Sequence, residues 1–256
     1  MNYPDKMKIS IITAVINGAA TIESCITSVL AQTYEDIEHI IIDGGSCDGT
    51  LGIISKYKDK IAKVISETDN GMYYALNKGI KLASGDIIGI LHSDDFYAHN
   101  RIIENVADVF KRENVDSCFG DLQYVSEKNP AKIVRYWKAL PCANEKFKYG
   151  WMLPHPAFFV KKWVYEKFGC FNTDFKIAAD YELMLRLLVK YGTSTYYIPE
   201  LIVKMRMGGL SNKNLINLFI KSYEDYKAWK VNNLKIGTFT ILLKNLVKIP
   251  QFFRRI

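Results

Sequence analysis

The sequence predicts an α/β fold: a mostly parallel sheet flanked by helices, with a helical C-terminal extension. Three observations carry that prediction. Short β-branched apolar runs alternate with stretches of helical apolar spacing from Lys8 to Leu91. Several runs deliver a carboxylate beside glycine, as strands do at the ligand crevice of an open sheet. From Glu200 onward eleven Lys or Arg stand against three acids, whereas the first 199 residues sum to one negative charge.

Lys8–Val15 reads as a buried strand, short and rich in β-branched residues. Thr21 is placed to cap a helix carrying Ile22, Ile26, Val29 and Leu30. Ile37–Ile42 is a second strand ending at Asp43, and Gly44, Gly45 and Gly49 let the chain turn close to a ligand. A helix from Thr50 leads to a strand at Ile61–Ile65. Asp69 or Asn70 is positioned to cap the next helix, whose stripe is Met72, Leu76, Ile80 and Ala83, with Gly85 as its stop. Ile87–Leu91 is the central strand and hands over to Ser93, Asp94 and Asp95.

Beyond Asp95 the pattern loosens. It gives a helix over Ile102–Phe110, strands near Ser117–Tyr124 and Lys132–Tyr136, and a proline-punctuated loop and strand over Trp151–Val160. A helix over Ala179–Tyr191 directs Met184, Leu187, Leu188 and Tyr191 at the core. Another follows the Arg206–Ser211 turn, with Leu215, Leu218, Phe219, Tyr223 and Tyr226 at helical spacing.

At 256 residues and 49% hydrophobic content, the chain suits one large domain with an appendage. We divide it at residue 211, with a ligand-binding half over 1–98, a second half over 99–211, and a basic amphipathic region over 212–256. The five cysteines include no C-x-x-C pair, which points to reduced thiols rather than a zinc site or disulfide framework. Met1–Lys8 is polar and gives no signal peptide, and no apolar run approaches the roughly 18 residues of a membrane span. The net charge of +7 comes with no nucleic-acid-binding motif, so nucleic acid is excluded as a partner.

Asp94 and Asp95 repel one another at a strand end, and sharing a hard divalent cation relieves that repulsion. G-G-S-C-D-G after Asp43 lacks the G-x-G-x-x-G spacing of a dinucleotide site, and Asp43 is better placed to accept hydrogen bonds from a base or ribose. Asp180 and Glu182 stand about 200° apart around a helix, so only one can face a given site. Asp180 opens that helix, where a carboxylate either caps the N-terminus or stays charged for chemistry.

Four stretches make the reading specific: S-I-I-T-A-V-I-N, D-G-G-S-C-D-G-T, S-E-T-D-N-G-M-Y-Y-A-L-N-K-G-I and the S-D-D triplet. Together they resemble the nucleotide-binding half of the inverting family 2 glycosyltransferases of GT-A fold, especially those building colanic acid, O-antigen and capsule. The resemblance weakens toward Ser211 through H-P-A-F-F, A-A-D-Y-E and M-G-G-L-S, and does not extend into the last forty-five residues.

That resemblance implies Thr13, Ala14 and Asp43 at the uracil of a UDP-sugar, with Asp69 and Asn77 also in the donor site. It implies Ser93 and Asp94 at the ribose and metal region, Asp95 as principal ligand of Mn²⁺ or Mg²⁺, and Asp180 as the base. His92 departs from the Asp or Asn common at the head of the triplet. His155, Arg206 and Gly208 are candidates for acceptor or diphosphate contacts, and Trp137, Tyr149 and Trp151 for stacking on acceptor sugars.

Leu234–Ile256 carries five basic residues, no acid and many large apolar ones, which suits the headgroup plane of an anionic membrane. The expectation is therefore a cytoplasmic enzyme, peripheral at the inner face of a bacterial membrane, acting on a saccharide or lipid-linked saccharide acceptor. A nucleotidyltransferase would need a basic glycine-rich loop after the first strand, and residues 16–20 hold no Lys or Arg. A non-catalytic scaffold is opposed by the presence of Asp95 and Asp180.

Overall fold

A computed structural model describes residues 7–141, 144–207 and 215–247. Its strands are β1 (Ile9–Val15), β2 (Ile37–Asp43), β3 (Lys63–Ser66), β4 (Ile87–Ile90), β5 (Asp95–Tyr97), β6 (Ser117–Val125), β7 (Ile133–Trp137), β8 (Phe158–Lys161) and β9 (Thr195–Arg206). They form one sheet in the order β3-β2-β1-β4-β8-β6-β9-β5, with β7 paired on β6. The helices are α1 (Ile22–Leu30), α2 (Thr50–Ser55), α3 (Met72–Leu82), α4 (Ile102–Arg112), α5 (Lys162–Phe168), α6 (Ala179–Met184), α7 (Leu215–Val231) and α8 (Thr240–Leu246).

The sheet is parallel where the alternation was clearest. β1 runs parallel to β2 and β4, and β2 to β3. Beyond β4 it turns mixed: β8 is antiparallel to β4 and β6, β7 to β6, and β5 to β9, while β6 and β9 run parallel. The mostly parallel expectation thus describes the first four strands. A parallel neighbour needs a long crossover, usually helical, and β7 returns on β6 through a short turn.

Alternate residues of β1 feed two cores. Ile12 and Ala14 pack with α3 and α6, whereas Ile9, Ile11 and Val15 pack with α1 and α4. A Cβ built on Gly79 would lie 2.4 Å from Ile12 Cγ2, so α3 rests on β1 more closely than a larger residue permits. A buried polar network ties β1 to β2 and to the end of α3. Ser10 Oγ donates to Glu38 Oε2 (2.6 Å), and Glu38 also accepts from Ser84 N (2.7 Å) and Ser84 Oγ (2.9 Å).

Several local expectations are corrected. Thr21 takes the N-cap position of α1 without a side-chain cap bond, and α3 is capped by Gly71 rather than Asp69 or Asn70. Gly85 has no left-handed backbone. It is small because Ser10 and the Lys8 carbonyl crowd it, at 2.6 and 2.8 Å from a built Cβ. The helix from Ala179 changes after Met184 into a π-helical segment, Leu185–Lys190, and Tyr191 ends exposed, stacked on Phe168. Met72 is likewise exposed.

The C-terminal region, as far as it is described, packs against residues 144–182. In α7, Phe219 (77% exposed), Tyr223 and Tyr226 face outward, while Glu224, Asp225, Ala228 and Trp229 are buried. Trp229 Nε1 donates to Tyr181 Oη (3.0 Å) and Asn232 Nδ2 to Glu182 Oε1 (3.0 Å). Lys244 of α8 pairs with Asp225 at 2.5 Å, and Thr240 Oγ1 donates to the Lys148 carbonyl (2.6 Å). Residues 248–256, with Pro250 and the terminal aromatic and basic residues, lie outside the described residues. No helix among the described residues is long and apolar enough to cross a membrane. Cys25, Cys47, Cys118 and Cys170 are free thiols.

Candidate active site

The C-terminal ends of β1, β2 and β4 bring Val15, Asp43 and the Ser93–Asp95 turn to one edge of the sheet, Val15 and Asp43 standing in register. Asp43 is fully buried. Its Oδ2 accepts from Gly45 N (3.1 Å), Ser46 N (3.0 Å) and Ser66 Oγ (2.7 Å), and its Oδ1 has no partner. Burial raises its pKa, but the bonds from Ser46, Ser66 and Gly45 outweigh that and leave the carboxyl below its ordinary range. Gly45, at φ +85°, supplies the turn that points these N–H groups back. The neighbouring loop is fastened across: Asn17 N donates to Ser46 Oγ (2.8 Å) and Ala19 N to Asp48 Oδ2 (3.0 Å).

The other donor-site candidates divide. Thr13 turns its hydroxyl into the core, 3.0 Å from His39 Nε2, and Ala14 packs in the opposite core, so neither side chain is presented at the crevice. Asp69 lies near the crevice with Oδ1 on Lys78 Nζ (2.6 Å) and a buried Oδ2 without a partner. Asn77 is occupied elsewhere: its amide donates to Phe171 O (2.8 Å) and accepts from Phe171 N (2.9 Å).

Asp95 begins β5 and is fully buried, with both carboxylate oxygens lacking a hydrogen-bond partner. Burial and then the charge of Asp94 hold its carboxyl well above the usual range. Ser93 and Asp94 form the adjoining half-buried turn, and Arg206 at the end of β9 secures it by donating to the Asp94 carbonyl (2.7 Å). The Arg206 guanidinium also lies 4.8 Å from the Phe96 ring centroid. Gly208 lies outside the described residues.

Among the described residues no three His, Cys, Asp or Glu converge as a preformed metal cluster. The two unpartnered oxygens of Asp95 fit a divalent cation whose remaining ligands come from elsewhere, such as a bound phosphate. Asp95 and Asp94 are the residues that would hold it.

Across the crevice, His155 Nδ1 lies 3.0 Å from Asp180 Oδ2, the Asp180 side chain being 18% exposed. Burial pushes Asp180 up, but the His155 charge, then Lys244 and the Tyr181 N–H, bring it well below the ordinary carboxylate range. Glu182 points the other way, to Arg186 Nε (3.0 Å) and Asn232, as the 200° separation requires. Asp180 does not cap its helix: Ala178 is the N-cap, and the N–H groups of Lys176, Ile177 and Ala178 are taken by Glu224.

His92 joins the two halves. Its ring centroid lies 6.1 Å from that of His155. Burial and the His155 charge lower its pKa, whereas Asp94 and Asp180 both act to raise it. Tyr124 on β6 is a second link that the motifs did not reveal. Burial raises its hydroxyl, Arg135 stacked 4.4 Å from the ring opposes this, and Asp95 and Asp180 both add to the rise. Trp151 belongs to an aromatic cluster with Phe119 and Phe147, and Trp137 is also buried; Tyr149 is exposed.

The family model described as glycosyl transferase family 2 matches residues 10–169, from β1 through the Ser93–Asp95 turn to the end of α5. The chain belongs to that family. This glycosyltransferase is 28% identical over 217 residues to a PGL/p-HBAD biosynthesis glycosyltransferase of Mycobacterium tuberculosis, covering 83% of this chain and 82% of the relative. It is 33% identical over 180 residues to an uncharacterized glycosyltransferase of the same organism, covering 70% of this chain and 68% of that one. Its fold is that of GT-A glycosyltransferases. S. aureus TarS in complex with UDP-GlcNAc superposes with a TM-score of 0.69 at 15% identity, over 96% of this chain and 73% of TarS. The mannosyltransferase PcManGT from Pyrobaculum calidifontis, in complex with GDP-Man and Mn²⁺, gives 0.67 at 18% identity, over 98% and 74%.

Proposed function

We propose that this family 2 glycosyltransferase is inverting and metal-dependent, and that it moves a hexose or HexNAc from a UDP-sugar to a saccharide acceptor. The acceptor we favour is a polyprenyl-diphosphate-linked saccharide of bacterial surface polysaccharide synthesis, of the colanic acid, O-antigen or capsule kind. The observation that carries the reading is the pair of opposed carboxylate environments. Asp180 is kept ionised by His155 and Lys244, while Asp95 holds two buried oxygens free for a cation.

In that reading Asp43 and Asp69 offer their unpartnered oxygens to the nucleoside. The acceptor hydroxyl attacks the anomeric carbon on the face opposite the nucleoside diphosphate. The new C–O bond forms as the bond to the diphosphate breaks, and the hydroxyl proton passes to Asp180. A carboxylate of low pKa serves as base here because the proton moves late, once the attacking oxygen is already bonding to carbon. A divalent cation at Asp95 and Asp94 would supply charge neutralisation for the departing diphosphate. His155 lies against Asp180 and would orient it, with the His92 ring 6.1 Å from that of His155.

The complexes of similar fold contain UDP-GlcNAc in one case and GDP-Man with Mn²⁺ in the other, which supports a nucleotide-sugar donor and a divalent metal. Exposed Phe239, Leu242, Leu246 and Val247 on and beside α8 support a cytoplasmic enzyme held peripherally at an anionic membrane. The test is donor hydrolysis. Purified protein with Mn²⁺ and a panel of UDP- and GDP-sugars should release UDP from one UDP-sugar, and EDTA or Asp95→Ala should abolish release. Release from GDP-sugars alone would overturn the uridine assignment.

A further inference from the structure

The segment 171–178, which leads into Asp180, is suspended between two helices far apart in sequence. From α7, the 5% exposed Glu224 accepts Lys176 N (2.8 Å) on Oε1, and Ile177 N (2.9 Å) and Ala178 N (2.8 Å) on Oε2. From α3, Tyr73 Oη donates to the Ile177 carbonyl (2.8 Å), and Asn77 holds Phe171 through both its N–H and its carbonyl. Ile177 is therefore gripped on its N–H by one helix and on its carbonyl by another. Lys227 adds a bond to the Asp174 carbonyl (3.1 Å) from the α7 side.

These bonds do more than end a helix. Their N–H groups belong to the N-cap Ala178 and the two residues before it, so the bonds fix the chain entering α6 rather than the first turn of the helix. Here the acceptor comes from 46 to 48 residues downstream, and a buried tyrosine of the donor half anchors the same segment. The α3 residues involved follow directly on Asp69 and Gly71, so the segment that faces the donor also tethers the base.

We infer that Glu224 is a positioning residue for Asp180, with Tyr73 as its counterpart on α3. This rests on the reading of Asp180 as the base. Glu224 touches no reacting atom. It fixes where the Asp180 carboxylate stands relative to the donor, and misplacement on the scale of an ångström lowers rate by roughly 100-fold.

The test uses Mn²⁺-dependent hydrolysis of whichever of UDP-glucose, UDP-galactose, UDP-N-acetylglucosamine and GDP-mannose the wild type cleaves fastest. Calorimetry with the matching nucleoside diphosphate counts folded donor sites, and kcat is expressed per site. Glu224→Gln should lower kcat per site about 10- to 100-fold while the diphosphate Kd stays within about twofold. A purely structural role would reduce the number of sites and leave kcat per site unchanged. Tyr73→Phe, which removes one hydroxyl, should act in the same direction and keeps the test open should Glu224→Gln fail to fold. Asp180→Asn separates the two levels. If it is inactive while both positioning variants match the wild type per site, the positioning inference is wrong and the base assignment stands. If Asp180→Asn hydrolyses normally, the base assignment falls and this inference falls with it.

Discussion

His155 Nδ1 lies 3.0 Å from Asp180 Oδ2, and the two come from elements that share no local sequence: a turn between prolines and the start of α6. The contact makes the charge state of Asp180 depend on an imidazole.

The first prediction follows from the sign of that dependence. The His155 charge lowers the Asp180 pKa against the opposing effect of burial. Removing the ring leaves burial less opposed, so the pKa rises and the carboxylate is lost at a higher pH. In His155→Ala the acid limb of the pH–rate profile should therefore move toward neutral pH. An unmoved acid limb would remove His155 from any role in tuning the base.

Asp95 should show a conflict between stability and function. Its two buried oxygens have no partner, and groups of that kind cost about 1–3 kcal/mol each. Asp95→Ala should thus raise the melting temperature of the metal-free protein, by about 2–4 °C for each kcal/mol relieved, and abolish the stabilisation that Mn²⁺ confers on the wild type. Differential scanning calorimetry with and without Mn²⁺ measures both. An Mn²⁺ shift that survives the substitution would place the cation elsewhere.

Lys244 and Asp225 form a pair only 1% and 2% exposed. Burial lowers the Lys244 pKa to about 8 even with Asp225 beside it. Unfolded, a lysine titrates near ~10.4. Between those values the unfolded chain holds more protons than the folded one, so stability rises with pH across that window, and the penalty is present in full below it. The denaturant midpoint of the wild type should gain on that of Lys244→Met from pH 8 to 10. Asp225→Ala should cost about 3–5 kcal/mol, since it strands a buried charge.

Truncation distinguishes an integral C-terminal region from an appended one. A chain ending at Ser211 lacks Trp229, Glu224 and Lys244, and should lose cooperative thermal unfolding as followed by circular dichroism. A chain ending at Val247 should unfold within a few degrees of the full-length protein. Cooperative, wild-type-like unfolding of the shorter chain would support a domain boundary near residue 211.

The legible parts of the molecule are those where one periodicity acts alone. β1, β2 and β4 are short apolar runs buried on both faces, and Asp43 and Asp95 follow from where they end. β9 was hidden because its twelve residues, half-buried and interrupted by Pro199 and Glu200, pair with β6 through shifts in register. α7 is hard to read for a related reason: Phe219, Tyr223 and Tyr226 face solvent, while Glu224 and Asp225 turn inward to reach N–H groups and a lysine that only the folded chain brings near. Asn77 shows the same limit within a motif. The resemblance implied a donor-site role for it, whereas in the structure its amide bonds Phe171, 94 residues away in sequence.

The grip on Ile177 also sets an order of events during synthesis. Strands β1 to β4 and helix α3 can assemble once the first ninety or so residues have left the ribosome, so a nascent chain presents Asp43, Asp69 and Tyr73 early. The segment before Asp180 receives its acceptor only when residue 224 has emerged, and Lys244 follows twenty residues later. A half-made chain is thus able to bring Asp43 and Asp69 together before it can hold the segment ahead of Asp180 in place, and that anchor arrives only with α7.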